Sequence, residues 1–224
     1  MSAPTLILDL DGTLVDSVPD LTASINRLMQ SRRLSRFSYA ETAVMIGDGA
    51  AALVRRAFMA RGAMADPAAI ADFLEDYGAN AAVESRLYPD VAATLDRFRA
   101  TGWHLAVCTN KPEAPARKLL AAMGIADRFA SIGGGDSFST RKPDPAHLLA
   151  TLAAASGTAG AAIMAGDHAN DVAAADGAGI PCIFCRWGYG TAAMAGTAAA
   201  TADCFSDLPE IARRLLAETP LPHS

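Results

Sequence analysis

No Lys/Arg-rich block interrupts the 224 residues, and the formal net charge is −5. Chains that grip nucleic-acid backbones carry a basic stripe, so no nucleic-acid partner is expected. No apolar run approaches the ~18 residues that span a bilayer, and no membrane partner is expected either. The opening stretch MSAPTLILDLDG lacks a basic n-region and its apolar run ends in acid, unlike a signal peptide. The expected location is the cytoplasm. Cysteine is scarce, at Cys108, Cys182, Cys185 and Cys204. The stretch CIFC has a C-x-x-C spacing, yet it reads as a buried strand in which positions three apart face opposite sides. With no second pair nearby to complete a zinc site, all four are expected to be reduced thiols.

Internal repeats and low-complexity linkers are also missing. What the chain does have is 51% hydrophobic residues and a mean hydropathy of +0.20, which suit a folded globular protein. Its length allows one large domain, or a core with a smaller companion. Short apolar runs mark strand candidates at Leu6–Leu8, Leu105–Cys108, Phe129–Ile132, Ile163–Ala165, Ile180–Phe184 and Cys204–Phe205. Helical patterns lie between them, such as Ala116, Leu119, Leu120 and Met123 closed by Gly124. Another opens at Asp144-Pro145, an N-cap followed by proline in the first turn. This alternation is the signature of βα units around a parallel sheet, an α/β fold.

One interval breaks the alternation. From Asp16 to Arg86 only helical patterns appear. Ser17-Val18-Pro19-Asp20 reads as a capping box, a second helix carries Leu53, Val54, Ala57 and Phe58, and a third begins at Asp66-Pro67. The expected division is a core of residues 1–15 and 87–224 with a helical domain of residues 16–86 inserted after the first strand.

Ligands of open parallel sheets bind beyond the carboxyl ends of the strands. Read in order, those ends carry Asp9 and Asp11, then Thr109-Asn110, then Asp167 with Asp171 following; Lys142 stands at a helix entrance. Clustered carboxylates repel unless a cation sits among them, and an all-oxygen set suits a hard ion such as Mg²⁺. Taken singly, each has a plainer reading. Asp171 can answer a helix dipole, Thr109 can close a turn, and Lys142 can be a solvated loop lysine. Their joint occurrence at successive strand ends is what those readings do not predict.

DLDGTLVDS resembles the D-x-D-G-T-[LV] signature of the haloacid dehalogenase superfamily. Cys108-Thr109-Asn110, Lys142-Pro143 and GDHAND resemble its second, third and fourth motifs, in the family's order. Within the superfamily, IGDGAAALVRRAF, the stretch from Tyr88 to Leu120 and RKPDPAHLL are similar to the bacterial phosphoglycolate phosphatases. The resemblance implies a doubly wound, Rossmann-like core with a C1 helical cap, and hydrolysis of a small phosphorylated metabolite. It implies Asp9 as nucleophile, Asp11 as general acid and base, and Thr109 and Lys142 on the phosphoryl oxygens with Gly12 and Asn110. It assigns Mg²⁺ to Asp9, Asp11 (through its carbonyl), Asp167 and Asp171. Asp48, Gly49 and Arg55 are the cap residues expected near substrate.

Asp11 separates this chain from the dehalogenases, which on the resemblance lack a second aspartate. The absence of lysine between Asp16 and Arg86 speaks against the phosphonate-cleaving branch. A β-phosphoglucomutase-like phosphosugar mutase, a phospho-aspartate receiver and a binding protein without catalysis stay open at this point. His168, beside Asp167, is expected to point to solvent. Oligomeric state is open between monomer and homodimer.

Overall fold

The computed structural model describes residues 3–218. Strand β1 (Thr5–Leu8) leads through β2 (Val15–Asp16) into helices α1 (Val18–Ser31), α2 (Tyr39–Ala43), α3 (Ala50–Ala60) and α4 (Pro67–Asn80). Strand β3 (Arg86–Leu87) then returns the chain to an alternating series. That series runs α5 (Val91–Ala100), β4 (His104–Cys108), α6 (Glu113–Ala122), β5 (Ser131–Gly133), α7 (Pro145–Ala154) and β6 (Ala162–Gly166). It closes with α8 (Ala169–Ala178), β7 (Cys182–Cys185), β8 (Ala200–Ala202) and α9 (Leu208–Glu218).

Six strands form one parallel sheet in the order β5-β4-β1-β6-β7-β8. The order turns in opposite directions on either side of β1, so the crevice at the carboxyl end of β1 is the switch point where such sheets take ligands. Alternation along the strands assigns the faces. Leu6, Leu8, Ile183 and Cys185 join the cluster that packs α5, α6 and α9, whereas Ile7, Cys182 and Phe184 join the cluster of α7 and α8. Cys182 and Cys185 therefore face opposite layers, and all four cysteines are free thiols. No described helix is long and apolar enough to cross a membrane.

Helices α1–α4 have an apolar cluster of their own, built on Ile25, Met29, Val54, Ala57 and Phe73. The two crossings between this unit and the sheet pair with each other, Val15 with Leu87 and Asp16 with Arg86, as a short antiparallel ribbon. The interval expected to hold only helices thus ends in paired strand residues.

Three local expectations need correction. Ser17 and Asp20 form no capping box, because both side chains are engaged elsewhere. The Ser17 hydroxyl donates to Asp11 Oδ1 at 2.5 Å. Asp20 accepts N–H bonds from Val83, Glu84 and Ser85 at 2.9–3.0 Å and the Ser85 hydroxyl at 2.6 Å, lacing α1 to the returning chain. Cys204–Phe205 is not a strand: Phe205 is buried in a 3-10 turn against Trp187, and the edge strand is the less apolar Ala200–Ala202. Finally, α2 was not anticipated, although Ser38 and Glu41 form a true capping box at its start. The N-caps Asp66 and Asp144 stand as expected, accepting from Ala69 N and Ala146 N.

Candidate active site

Register brings the predicted residues together. Leu8 pairs with Val107 on one side and Ala165 on the other, so Asp9, Thr109 and Asp167 all emerge at one sheet edge. Asp9, Asp167 and Asp171 are buried, and each offers a carboxylate oxygen within 4.8 Å of the others. Lys142 lies among them, its Nζ 2.9 Å from Asp9 Oδ1 and 2.5 Å from Asp171 Oδ1. It is no solvated loop lysine, with only 3% of its surface exposed.

The electrostatics follow from this crowding. Burial opposes the Lys142 charge, but Asp171 and Asp9 outweigh it and hold the ammonium protonated. Burial, then Asp9 and Asp171, push the Asp167 carboxyl up to about 8. Asp9 is raised as well, chiefly by burial and against the pull of Lys142. These groups want positive charge: when all four are ionised, the carboxylates of Asp9, Asp11, Asp167 and Asp171 face, among the described residues, only two lysines, Lys111 and Lys142. Hard oxygen donors with a shortfall of two charges fit one divalent cation.

Each acid is aimed by its neighbours. Asp167 accepts from the Thr13 hydroxyl at 2.9 Å and from Tyr189 N at 2.8 Å. Its carboxylate rests against Gly12, at φ +87°, where any Cβ would collide with it. Gly12 thus serves close approach as well as the turn. Asp171 accepts His168 N at 3.0 Å while holding Lys142, so it is a helix-start acid and a site acid together. Thr109, 2% exposed, receives Lys111 N on its hydroxyl at 3.2 Å. Asn110 donates to Gly47 O and Lys142 O, both at 2.9 Å, and its buried Oδ1 has no partner among the described residues.

Above this edge lies a cleft enclosing about 520 Å³, its mouth included. Asp9, Asp11, Thr109, Asn110 and Lys111 form its floor; Leu21, Ile46, Leu53, Phe73, Leu74 and Tyr77 form its roof. Asp11 is set apart from the other acids. Lys111 Nζ lies 3.0 Å from its Oδ1 and 2.7 Å from the Tyr77 hydroxyl. Burial opposes the Lys111 charge, yet Asp11 leads the groups that hold it protonated, while burial pushes the Tyr77 phenol up to about 12.

The residues expected from the helical insert fare unequally. Gly49 lines the cleft, its backbone packed on Asn110 O. Asp48 is spent on Arg56 and on Asn170, the latter at 2.6 Å. Arg55 is exposed and is not among the cleft's lining residues; its neighbour Arg56 braces the loop instead, also donating to Met45 O at 2.9 Å. His168 does not point to solvent. Its Nδ1 accepts Asn170 N at 3.2 Å, and its ring packs so closely on Gly47 that a Cβ there would lie 2.6 Å away. Burial holds this imidazole below its ordinary value, against the pull of Asp48.

Sequence reasoning missed Lys111, Tyr77, Thr13 and Tyr189. Lys111 carried a signal, since it directly follows the strand-end Thr109-Asn110. Tyr189 carried none, lying 22 residues beyond the acid that its N–H meets.

Comparison with known proteins agrees with this geometry. Residues 6–185 match the family model of haloacid dehalogenase-like hydrolases. A phosphoglycolate phosphatase of Rhodospirillum rubrum is 41% identical over 212 residues, covering 91% of this chain and 88% of that protein. One from Caulobacter vibrioides is 35% identical, covering 100% of this chain and 97% of its own length. Among solved structures, a predicted phosphoglycolate phosphatase from Haemophilus somnus superposes with a TM-score of 0.86 at 32% identity, covering 93% of this chain and 97% of that one. The chain belongs to the haloacid dehalogenase-like hydrolases and is a phosphatase.

Proposed function

We propose that the chain is a Mg²⁺-dependent phosphomonoesterase of the cytoplasm acting on a small phosphorylated acid, foremost 2-phosphoglycolate, through a phosphoaspartate at Asp9. The observation that carries this reading is the joint presence of Asp9 and Asp11 in one roofed cleft, with Lys142, Asp167 and Asp171 packed behind Asp9. The relatives named as phosphoglycolate phosphatases support the choice of substrate.

In this mechanism an Asp9 carboxylate oxygen attacks phosphorus and the bond to the glycolate oxygen breaks. Asp11 gives its proton to that leaving oxygen. It then takes a proton from water as the water attacks the phosphoaspartate, releasing phosphate and restoring Asp9. Splitting the reaction replaces one difficult displacement by two easier ones, and such proton transfer is worth ~10²–10⁴-fold. The Thr109 hydroxyl, the Asn110 backbone N–H, Lys142 and the turn at Gly12 would hold the phosphoryl oxygens. Bound Mg²⁺ supplies positive charge between an attacking carboxylate and a phosphate dianion. Asp9, Asp167, Asp171 and the Asp11 carbonyl would hold it.

Residues 16–86 act in this reading as a cap that excludes bulk water from the cleft. A mutase acting on sugar bisphosphates would need a cation on the roof for the second phosphate. The roof residues Leu21, Ile46, Leu53, Phe73 and Leu74 supply none. The test is phosphate release from 2-phosphoglycolate, glycerol phosphates, hexose phosphates, mononucleotides and pyrophosphate, with Mg²⁺ or EDTA. A metal-dependent kcat/KM that peaks at phosphoglycolate supports the reading; a peak elsewhere overturns the substrate, and no release from any ester overturns the reaction.

A further inference from the structure

A small phosphorylated acid carries negative charge at both ends, and the catalytic floor accounts for only one of them. The other end must meet a cation or well-placed donors, because an unpaired carboxylate is costly to bury. Of the described residues lining the cleft, Lys111 alone is cationic. Its Nζ is fixed from two sides: Asp11 Oδ1 and Oδ2 on the floor at 3.0 and 3.1 Å, and the Tyr77 hydroxyl on the roof at 2.7 Å.

The donors are not all used. An ammonium has three N–H groups; one shared between the two Asp11 oxygens and one directed at Tyr77 leave a third. Tyr77 accepts from Lys111, and among the described residues its own hydroxyl proton has no acceptor. Tyr77 is 2% exposed and Lys111 6%, so neither donor is satisfied by bulk water. Phe73 stacks on Tyr77 with ring centroids 5.8 Å apart, which fixes the phenol's direction.

Resting on the proposed function, we infer that Lys111 and Tyr77 together form the receptor for the substrate's carboxylate. Tyr77 selects the acid through its hydroxyl. Lys111 does the same and also positions Asp11, so the anionic end of the substrate and the proton donor to its ester oxygen are held by one ammonium. Because Lys111 comes from the sheet edge and Tyr77 from α4, a bound carboxylate would also tie the helical unit to the core.

The test is the ratio of kcat/KM for 2-phosphoglycolate to that for 2-hydroxyethyl phosphate, in which a neutral CH₂OH replaces the carboxylate. Tyr77→Phe keeps the ring and removes one donor. The loss of one hydrogen bond to a charged group predicts that the wild-type ratio falls about 10–100-fold, mainly through KM. Lys111→Gln is expected to collapse the ratio further and to lower kcat on both esters, since Asp11 loses its partner. An unchanged ratio in Tyr77→Phe, or equal losses on both esters in both variants, overturns the receptor. A wild-type enzyme that does not prefer the carboxylate ester overturns the substrate reading and the receptor together. Retained preference in Tyr77→Phe and Lys111→Gln overturns the receptor alone.

Discussion

Removing the metal should make the protein's stability depend on pH through Asp167. Its carboxyl is pushed up to about 8 by burial and by Asp9 and Asp171, against an ordinary value near 3.8 in the unfolded chain. The folded state therefore holds a proton that the unfolded state has released throughout the window between those values. Stability falls as pH rises through that window and levels off above the folded value, at about 1.4 kcal/mol per pH unit for one proton. From pH 6.0 to about 7.5 the loss is about 2 kcal/mol, or roughly 4–8 °C in Tm for a chain of this size. Asp167→Asn, which mimics the protonated acid, lacks this contribution. In EDTA the Tm of wild type should therefore fall relative to that of Asp167→Asn by that amount across the range, a comparison that subtracts titrations elsewhere. Saturating Mg²⁺ favours the ionised acid, so the metal's gain in wild-type Tm should grow with pH up to about 8. Parallel Tm profiles for the two proteins in EDTA, or a Mg²⁺ gain independent of pH, would refute this account of the acid cluster.

Other perturbations probe the supports of the site. Gly12→Ala should lower kcat/KM by about 10²-fold and weaken Mg²⁺ binding in calorimetry, because the new methyl group displaces the Asp167 carboxylate. Gly47→Ala should lower turnover by a similar order, since φ +121° is strained for alanine and its Cβ meets the His168 ring; full activity would mean that the loop moves freely. Asp20→Ala strands three backbone N–H groups and leaves the Ser85 hydroxyl only its 3.3 Å bond to Ala81 O, and should cost about 3 kcal/mol in denaturant unfolding. A loss below ~1 kcal/mol would mean that water replaces the carboxylate there.

The acids at the strand ends were legible because their signal is local. Asp9 ends an apolar run, and a buried carboxylate in that position has few explanations. The same locality made the βα alternation readable, along with the N-caps Asp66 and Asp144. Ser17 and Asp20 misled for the converse reason. Their spacing fits a capping box, but their partners are Asp11 and residues 83–85, and only the folded ribbon of β2 and β3 brings the latter close. Lys111, Tyr77 and Asn170 act across the boundary between helices and sheet, through contacts spanning 34 to 122 residues. Nothing in periodicity encodes such meetings. Arg55 and Arg56 show the limit most simply: adjacent arginines on one helix differ by about 100° in direction, and the sequence could not say which one reaches the loop.

The most direct test of the central claim is to catch the phosphoryl group on the protein. Enzyme mixed with 2-phosphoglycolate and Mg²⁺, quenched in acid within one turnover and reduced with borohydride, should carry homoserine at position 9, read by peptide mass spectrometry. Homoserine at another aspartate, with Asp9 unmodified, would contradict the account.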